Sequence, residues 1–215
     1  MTEPDVDSVI VIDDHPLFRK GVADLIAMEP SLRLVGEATN GEAGIRLAQA
    51  TDPDLILLDL NMKGMDGLET LRQLRAADVD ARIVMLTVSD SEEDVVAALR
   101  AGADGYLLKD MEPEDILDSL RRATAGRMVI SRQLTELLAR ALRDEQRPQR
   151  PEEAGLTGRE EEILRLIAKG YSNKLVAREL DLAVGTVKVH VKHILKKLRL
   201  RTRVEAAVWA VSSQR

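Results

Sequence analysis

Short apolar runs alternate with longer stretches of helical spacing along the first 127 residues of the chain. The runs are rich in Val, Ile and Leu and are typical of buried strands, whereas apolar residues three or four positions apart are typical of helices. The predicted strands are 8–12, 32–38, 55–58, 82–87 and 105–108. The predicted helices, one after each strand, are 18–28, 41–50, 67–77, 92–101 and 113–125.

This regular alternation of strand and helix predicts an α/β fold. The run LILL at 55–58 is apolar at every position, which indicates a strand buried on both faces. Right-handed connections between parallel strands then place helices on both faces of the sheet. We therefore predict that residues 1–127 form a doubly wound domain around a five-stranded parallel sheet.

The pattern changes after this domain. Residues 128–142 still have helical spacing, but the segment DEQRPQRPEEAG at 144–155 has no apolar period and contains two prolines. We predict a linker helix followed by a flexible linker over 128–154. Residues 155–215 show four helical segments and no strand pattern, which predicts a small all-α domain. Signals for helix starts occur at Thr157 with Glu160, at Ser172, and at Thr202 with Glu205.

Charge is divided unevenly between the two parts of the chain. Residues 155–215 contain 13 Lys/Arg and 6 Asp/Glu, whereas residues 1–154 contain 18 and 31. A basic part joined to an acidic part is expected where only the basic part binds a polyanion. The chain has no cysteine, which excludes disulfides and cysteine zinc sites, and no long apolar N-terminal stretch. We therefore expect a cytoplasmic protein that does not enter a membrane.

Five chemically active side chains fall where the predicted strands end. Asp13 and Asp14 follow the first strand, and Asp59, Thr87 and Lys109 stand at the ends of the third, fourth and fifth. Because the carboxyl ends of parallel strands meet at one edge of a sheet, these side chains should share a crevice. Oxygen ligands of this kind favour Mg²⁺, and an Asp59 oxygen could attack a phosphoryl group there beside the Lys109 ammonium.

The segments VIVIDDHP, LILLDLNMKGMDG, VMLT and GADGYLLKD resemble the signature segments of the receiver domain of response regulators. The resemblance implies a flavodoxin-like fold in which Asp59 accepts a phosphoryl group and Lys109 binds that group. It also implies that Asp14 binds Mg²⁺ directly, that Asp13 assists, and that Asp59 and the Asn61 backbone carbonyl complete the protein ligands.

This resemblance covers residues 8–126 and matches Thr87 and Tyr106 to the switch pair of the family, a hydroxyl and an aromatic ring that respond to phosphorylation. One position departs from the pattern, because receivers usually have proline where Lys63 stands. Lysine should loosen that turn and bring a cation near the phosphate. His15 is left out of the predicted site, because no second histidine lies near it in the sequence.

One helix of the second part combines an apolar face with a cationic face. Its apolar residues recur at helical spacing from Val187 to Leu198, so that face should pack inward. Lys188, Val189 and Lys192 lie on another side, where they fit the major groove of DNA and are the predicted base contacts. The predicted phosphate contacts are Lys174, Lys196, Lys197, Arg199, Arg201 and Arg203.

The stretch 156–210 resembles the LuxR/FixJ-type four-helix DNA-binding domain, and its segment TVKVHVKHILKKL matches the recognition helix of that family. The last predicted helix carries four small apolar residues at helical spacing, which could be core or a dimer seam. The family resemblance favours some dimer contact there. These residues are Val204, Ala207, Val208 and Val211.

Together the two resemblances imply a transcription factor of a two-component system. A sensor histidine kinase would phosphorylate Asp59, the receiver would release a masked DNA-binding domain, and a homodimer would bind double-stranded DNA. We expect no enzyme activity beyond self-phosphorylation and slow autodephosphorylation at Asp59. Two alternatives stay open. One is an aspartyl-phosphate phosphohydrolase, which normally has a second Asp where this chain has Asn61, and the other is a LuxR-type regulator that senses a small molecule.

Overall fold

A computed structural model of the protein describes residues 6–89, 91–124 and 154–212. The first part contains the predicted five-stranded parallel sheet, in the order β2-β1-β3-β4-β5. This order places β1 and β3 in the middle, which is the doubly wound arrangement that the sequence predicts. The strands are β1 (Asp7–Ile12), β2 (Leu32–Ala38), β3 (Leu55–Asp59), β4 (Arg82–Thr87) and β5 (Gly105–Leu108).

Each strand is followed by a helix, as the alternation predicts. Side-chain caps define several starts: Asn40 Oδ1 accepts from the Ala43 N–H, and Asp66 Oδ1 accepts from the Glu69 N–H. The first helix begins two residues before its predicted start because Pro16 suits the first helical turn. These helices are α1 (Pro16–Ala27), α2 (Gly41–Thr51), α3 (Gly67–Ala76), α4 (Glu92–Ala101) and α5 (Pro113–Thr124).

The two faces of the sheet carry separate apolar clusters. Alternate strand residues such as Ile10, Ile56 and Ile83 pack with α2, α3 and α4, and residues such as Val9 and Leu57 pack with α1 and α5. All five are essentially inaccessible to solvent. The continuous apolar strands therefore follow from burial on both faces.

Residues 154–212, the described part of the second domain, contain four helices, as predicted. A capping box between Thr157 and Glu160 starts the first, and the Ser172 hydroxyl accepts from the Leu175 N–H at the start of the second. The Thr202 hydroxyl accepts from the N–H of Glu205 at the start of the last helix. The helices are α6 (Gly158–Ala168), α7 (Asn173–Glu179), α8 (Val184–Leu198) and α9 (Arg203–Ser212).

Helix α9 packs against α6 within its own domain and against α4 of the first domain. This packing buries Val204, Ala207 and Val208, whereas Val211 is 44% exposed. Three of the four residues considered for a dimer seam are therefore covered within the chain. The predicted linker over 128–154 lies outside the described residues, apart from Ala154. In the described ranges, no helix is long and apolar enough to span a bilayer.

Candidate functional site: an acidic pocket and a basic helix

The carboxyl edge of the sheet gathers the side chains that the sequence places at strand ends. Asp13 follows β1, Asp59 ends β3 and Thr87 ends β4, and all three side chains are buried. The Asp13 N–H donates to the Ala38 carbonyl, which extends the pairing of β1 with β2 into the pocket. The pocket is thus built on rigid strand ends, which fixes the positions of its carboxylates.

Lys109 connects two of these carboxylates. Its Nζ lies 2.8 Å from Asp13 Oδ2 and 2.8 Å from Asp59 Oδ2, and its side chain is 8% exposed. The ammonium also lies 4.7 Å from the centre of the Phe18 ring, which is within range for a cation–π contact. The residue predicted to bind a phosphoryl group is therefore held beside the predicted phosphoacceptor.

Burial changes the acidity of Asp59. Desolvation raises the pKa of its carboxyl above the ordinary value, and the negative charge of Asp13 raises it further. The hydrogen bond and positive charge of Lys109 oppose this shift, as does the Asn61 N–H, which donates to Asp59 Oδ1 over 3.2 Å. Asp59 is thus in an environment that favours neutralisation of its charge by a cation.

The donor set of the pocket fits a hard divalent cation. Asp14 Oδ1 is shielded from solvent and accepts no hydrogen bond from the described residues. One ammonium faces three carboxylates, so negative charge is left in excess. One carboxylate oxygen from each of Asp13, Asp14 and Asp59 and one ring nitrogen of His15 lie within 4.8 Å of one another.

His15 was left out of the site by the sequence analysis, yet the structure brings it to the rim of the pocket. Its Nδ1 lies 3.0 Å from Asp14 Oδ1, and its backbone N–H donates to Asp13 Oδ1 over 2.8 Å. The imidazole itself is 67% exposed. The signal available in the sequence was its place directly after the acidic pair, which puts it in the same loop.

Gly67 fixes the wall of the pocket on the side of α3. Its N–H donates to the Leu60 carbonyl over 2.8 Å. A Cβ at this position would lie 2.0 Å from the Asp59 carbonyl oxygen, far inside van der Waals contact. The first residue of α3 must therefore be glycine if the loop after β3 is to keep this conformation.

The predicted switch residues belong to one hydrogen-bonded group. The Thr87 hydroxyl accepts from the Ser89 N–H over 3.1 Å, and the Tyr106 hydroxyl donates to the Ser89 carbonyl over 2.9 Å. The Ser89 hydroxyl donates to Asp94 in α4 over 2.6 Å. Ser89 thus joins the strand end at Thr87 to both Tyr106 and α4, a link that the sequence analysis did not identify.

The predicted base contacts lie near the beginning of α8. Lys188, Val189 and Lys192 are exposed on its surface, and Val189 is 54% exposed. All three line a cavity of about 600 Å³ between α8 and the receiver domain. The cationic face of this helix is therefore turned toward the other domain of the same chain.

The predicted phosphate contacts fall into two groups. Lys197 donates to Glu160 and to the Gly155 carbonyl, and Arg203 donates to the side chain of Asn173, so these two cations have partners inside their own domain. Desolvation lowers the pKa of Arg203 to about 10. Exposed side chains belong to Lys174, Lys196, Arg199 and Arg201. The phosphate-contact assignments stay predictions.

The amino edge of the sheet contacts the second domain. Asp80, just before β4, accepts from Asn173 Nδ2 over 2.7 Å and lies 3.5 Å from Lys188 Nζ. Arg82, at the start of β4, donates to the Gly170 carbonyl over 2.5 Å. At the start of β3, Asp54 accepts from Lys174. None of these contacts is foreseen by the sequence analysis.

An acidic pocket at the carboxyl edge of a parallel sheet, joined to a basic four-helix domain, defines the class of protein. Residues 9–121 match the response regulator receiver domain, and residues 154–210 match the bacterial regulatory proteins of the luxR family. The chain belongs to the response regulators of two-component systems that carry a LuxR-type DNA-binding domain.

Individual relatives narrow the comparison. The chain is 57% identical to the nitrate/nitrite response regulator protein NarL of Escherichia coli strain K12, over 97% of each chain. It is 44% identical to the nitrate/nitrite response regulator protein NarP of the same strain, over 97% of this chain and 96% of that one. A solved receiver domain of the putative response regulator NarL from Mycobacterium tuberculosis is 38% identical, with a TM-score of 0.56, and matches 58% of this chain and 100% of that chain.

These findings confirm a likeness that the sequence alone suggests. The segments KDMEPEDIL, TVKVHVKHILKKL and RVEAAVWA are unusually close to those of NarL. The three segments begin at Lys109, Thr186 and Arg203, so they come from both domains. The similarity therefore extends over the whole two-domain organisation.

Proposed function

We propose that this response regulator accepts a phosphoryl group on Asp59 and that this modification controls the binding of its second domain to double-stranded DNA. The observation that carries the proposal is the position of Lys109, whose Nζ lies 2.8 Å from the buried carboxylates of both Asp13 and Asp59. An ammonium held in this way can bind the oxygens of an incoming phosphoryl group while Asp59 remains the nucleophile.

The residues of the pocket divide the work of phosphoryl transfer. An Asp59 oxygen forms the new P–O bond as the bond from phosphorus to the donor breaks, and Lys109 stabilises the negative charge on the phosphoryl oxygens. Asp13, Asp14, Asp59 and the Asn61 backbone carbonyl would hold Mg²⁺. When bound, the cation supplies further neutralisation of the charge on the phosphoryl group.

Labelling with a small phosphodonor tests the phosphoacceptor. Incubation with Mg²⁺ and acetyl phosphate should give one acid-stable, alkali-labile phosphate per chain. The variant Asp59→Ala should give none, whereas Asp24→Ala, which removes an exposed carboxylate of α1, should be labelled like the unaltered protein. Labelling that persists in Asp59→Ala would contradict the assignment.

The contacts between the domains support a resting state in which the receiver masks the DNA-binding face. Lys188, Val189 and Lys192 face the receiver across the cavity, so a DNA duplex could not reach them without separation of the domains. Asp80 and Asp54 neutralise Lys188 and Lys174, two of the cations proposed to meet DNA. Phosphorylation would favour the separated state.

Binding experiments on phosphorylated protein test the proposed base contacts. Lys192→Ala should lose more affinity for the operator than for random DNA, by about 1–3 kcal/mol. Lys196→Ala, a matched substitution one helical turn later, should weaken binding to both DNAs about equally. If Lys192→Ala lost affinity equally for the operator and for random DNA, Lys192 would be a phosphate contact.

We also propose that two phosphorylated chains form a homodimer. The DNA-binding domains of the two chains then bind paired half-sites. Exposed Val211 at the end of α9 is available for such a contact, and separation of the domains would also uncover the part of α9 that packs against α4. The molar mass in solution should double on phosphorylation, which light scattering would measure. A monomer that binds both half-sites with no gain in mass would contradict the homodimer.

The pathway is proposed from the relatives whose names mention nitrate and nitrite. We propose that a sensor histidine kinase of the NarX/NarQ type phosphorylates this protein in the cytoplasm and that the targets are nitrate/nitrite-responsive respiratory genes. Phosphotransfer from such a kinase should be much faster than transfer from a kinase of another pathway. Equal rates would contradict this choice of partner.

We propose no enzyme activity beyond self-phosphorylation and slow autodephosphorylation at Asp59. The phosphohydrolase alternative requires an acid two residues after the nucleophile, and here Asn61 donates a backbone hydrogen bond to Asp59 instead. Consumption of phosphodonor should show a burst near one equivalent and then continue only at the slow rate of autodephosphorylation at Asp59, whereas fast steady turnover would favour the phosphohydrolase. Tight binding of a small molecule without metal would favour the alternative of a ligand-sensing regulator.

A further inference from the structure

Lys63 contributes a hydrogen bond to the acidic pocket through its backbone. The loop between β3 and α3 brings the Lys63 N–H to Asp14, and the distance from this nitrogen to Asp14 Oδ2 is 3.1 Å. Proline has no N–H and cannot make this bond. The residue that departs from the usual receiver pattern is therefore the one that contacts a proposed metal ligand.

The bond from Lys63 engages only one of the two carboxylate oxygens of Asp14. Oδ2 is occupied by the Lys63 N–H, whereas Oδ1 is shielded from solvent and accepts no hydrogen bond among the described residues. Oδ1 lies 3.0 Å from Nδ1 of His15 at the rim of the pocket, and Asp14 contributes one oxygen to the group shared with Asp13 and Asp59. One oxygen is thus anchored to a neighbouring loop, and the other has no hydrogen bond from the described residues and is available to a cation.

The same orientation would be harder to keep without the N–H. Asp14 is only partly buried, with 18% of its side chain exposed, and its carboxylate can rotate about two bonds. A donor that fixes the distal oxygen of a ligating carboxylate removes this freedom before the cation binds. The Lys63 side chain is exposed and its charge is screened by solvent, so the backbone group is the effective one.

We infer that the Lys63 backbone N–H is a positioning donor that increases the affinity of the pocket for Mg²⁺ by orienting Asp14. The inference rests on the proposed function, in which this pocket binds Mg²⁺. Lys63 does not touch the cation or the phosphoryl group and acts only through Asp14. A proline at this position would give a pocket that needs a higher Mg²⁺ concentration for occupancy.

Calorimetric titration of Mg²⁺ into the full-length, metal-free protein tests the inference. Lys63→Pro removes both the N–H and the charge, and Lys63→Ala removes the charge alone. We expect the dissociation constant of Lys63→Pro to rise about tenfold, as is found when the partner of a ligating group is removed. Lys63→Ala should stay within about twofold of the unaltered protein, because exposed charges contribute little.

A second measurement observes the hydrogen bond without a proline. In the metal-free protein, the Lys63 amide proton should exchange slowly with solvent in ¹H–¹⁵N spectra, and Asp14→Ala should speed its exchange. The amide of Gly64, the next residue in the loop, reports any general loosening and should change little. Unchanged exchange at Lys63 would show that Asp14 does not hold this N–H and would overturn the inference.

The outcomes separate the inference from the proposed function. If the unaltered protein binds Mg²⁺ but Lys63→Pro and Lys63→Ala have the same affinity as each other, the N–H has no role and the inference fails alone. If the unaltered protein binds no Mg²⁺, both the inference and the proposed metal site fail. A tenfold loss confined to Lys63→Pro, with slow exchange at Lys63, supports the inference.

Discussion

The two ends of the parallel strands form two edges of the receiver sheet, the carboxyl edge and the amino edge. These edges carry different side chains. At the carboxyl edge, buried Asp13 and Asp59 surround the Lys109 ammonium in a pocket that fits a phosphoryl group and a cation. At the amino edge, Asp80 and Arg82 lie in contact with the second domain. The proposed phosphorylation site and the surface that contacts the second domain are therefore at opposite ends of the same strands.

The separation of the edges requires a connection between them. Strand β4 runs from Arg82 to Thr87, so it reaches both edges. Beyond it, Ser89 joins Thr87 to α4, and α4 packs against α9 of the second domain. Because the pocket and the interface lie at opposite ends of the strands, we expect the proposed phosphorylation to act on the domain interface indirectly, through this connection.

Removal of the Thr87 hydroxyl should have the largest effect on the coupling between the two edges. Thr87→Ala should still be phosphorylated on Asp59, because Thr87 is outside the nucleophile and its Lys109 partner. The gain in DNA affinity on phosphorylation should fall by about tenfold, since couplings between sites are typically 1–3 kcal/mol. Thr87→Ser, which keeps the hydroxyl, is the control. If phosphorylation still raises the DNA affinity of Thr87→Ala by the normal factor, the connection between the two edges does not pass through Thr87.

Loss of the Arg82 guanidinium should weaken the contact between the amino edge and the second domain. Arg82→Met removes the hydrogen bond to the Gly170 carbonyl, and bonds from charged donors are worth about 1.5–3 kcal/mol. We expect the unphosphorylated variant to bind DNA about fivefold more tightly, because relief of the repulsion between Arg82 and Arg203 offsets part of this loss. Arg33→Met, an exposed arginine of β2, should behave like the unaltered protein. Labelling of Asp59 should stay normal in both variants.

Neutralisation of Asp80 should have a smaller effect of the same sign. Asp80→Asn loses the ion pair with Lys188, and exposed pairs contribute about 0.2–1 kcal/mol. Resting DNA affinity should rise about threefold, and the rise should shrink at high salt. Asp78→Asn removes the same charge two residues away. If both variants show the same rise, the general potential of the cavity matters and the direct contact does not.

The pair of Asp54 and Lys174 should give the smallest effect. Burial tends to raise the pKa of Asp54, but hydrogen bonds from Lys174 and Ser8 outweigh it and hold the pKa below 3.8; the same pair raises the pKa of Lys174 above 10.5. The stabilisation by this pair is therefore constant from about pH 5 to 9 and is lost as the pH falls through the lowered pKa of Asp54.

A double-mutant cycle over pH measures this contribution. The variants Asp54→Asn, Lys174→Met and their combination should show a coupling of less than about 1 kcal/mol in thermal unfolding at pH 7. The coupling should disappear once the pH lies below the lowered pKa of Asp54, where this carboxyl is protonated. A coupling that survives at that pH would show that the ion pair is not its source.

The carboxyl edge was accessible to prediction from sequence because its residues follow directly from the strands. Once 82–87 and 105–108 are recognised as parallel strands, Thr87 and Lys109 must meet at one edge. The structure gives these two strands with the predicted bounds. His15 was missed because the loop after β1 turns back over the pocket, and no periodic pattern records the path of a loop.

The amino edge was not accessible in the same way. Arg82 and Gly170 are 88 positions apart, and Asn173 and Asp80 are 93 apart. Each residue is unremarkable in its own segment, and docking between two domains depends on surface shape and charge. Cations of the second domain illustrate the point, since Lys197 and Arg203 resemble phosphate contacts in the sequence but have protein partners here.

The contact of Gly67 with the backbone of Asp59 determines which part of the receiver can respond to phosphorylation. Even a Cβ does not fit between the start of α3 and the end of β3, so the packing on that side of the pocket leaves little room for movement. We expect the proposed phosphoryl group on Asp59 to be accommodated on the side of Thr87, where a single hydroxyl and a loop can rearrange. The close packing at Gly67 thereby restricts the expected rearrangement to the side of Thr87.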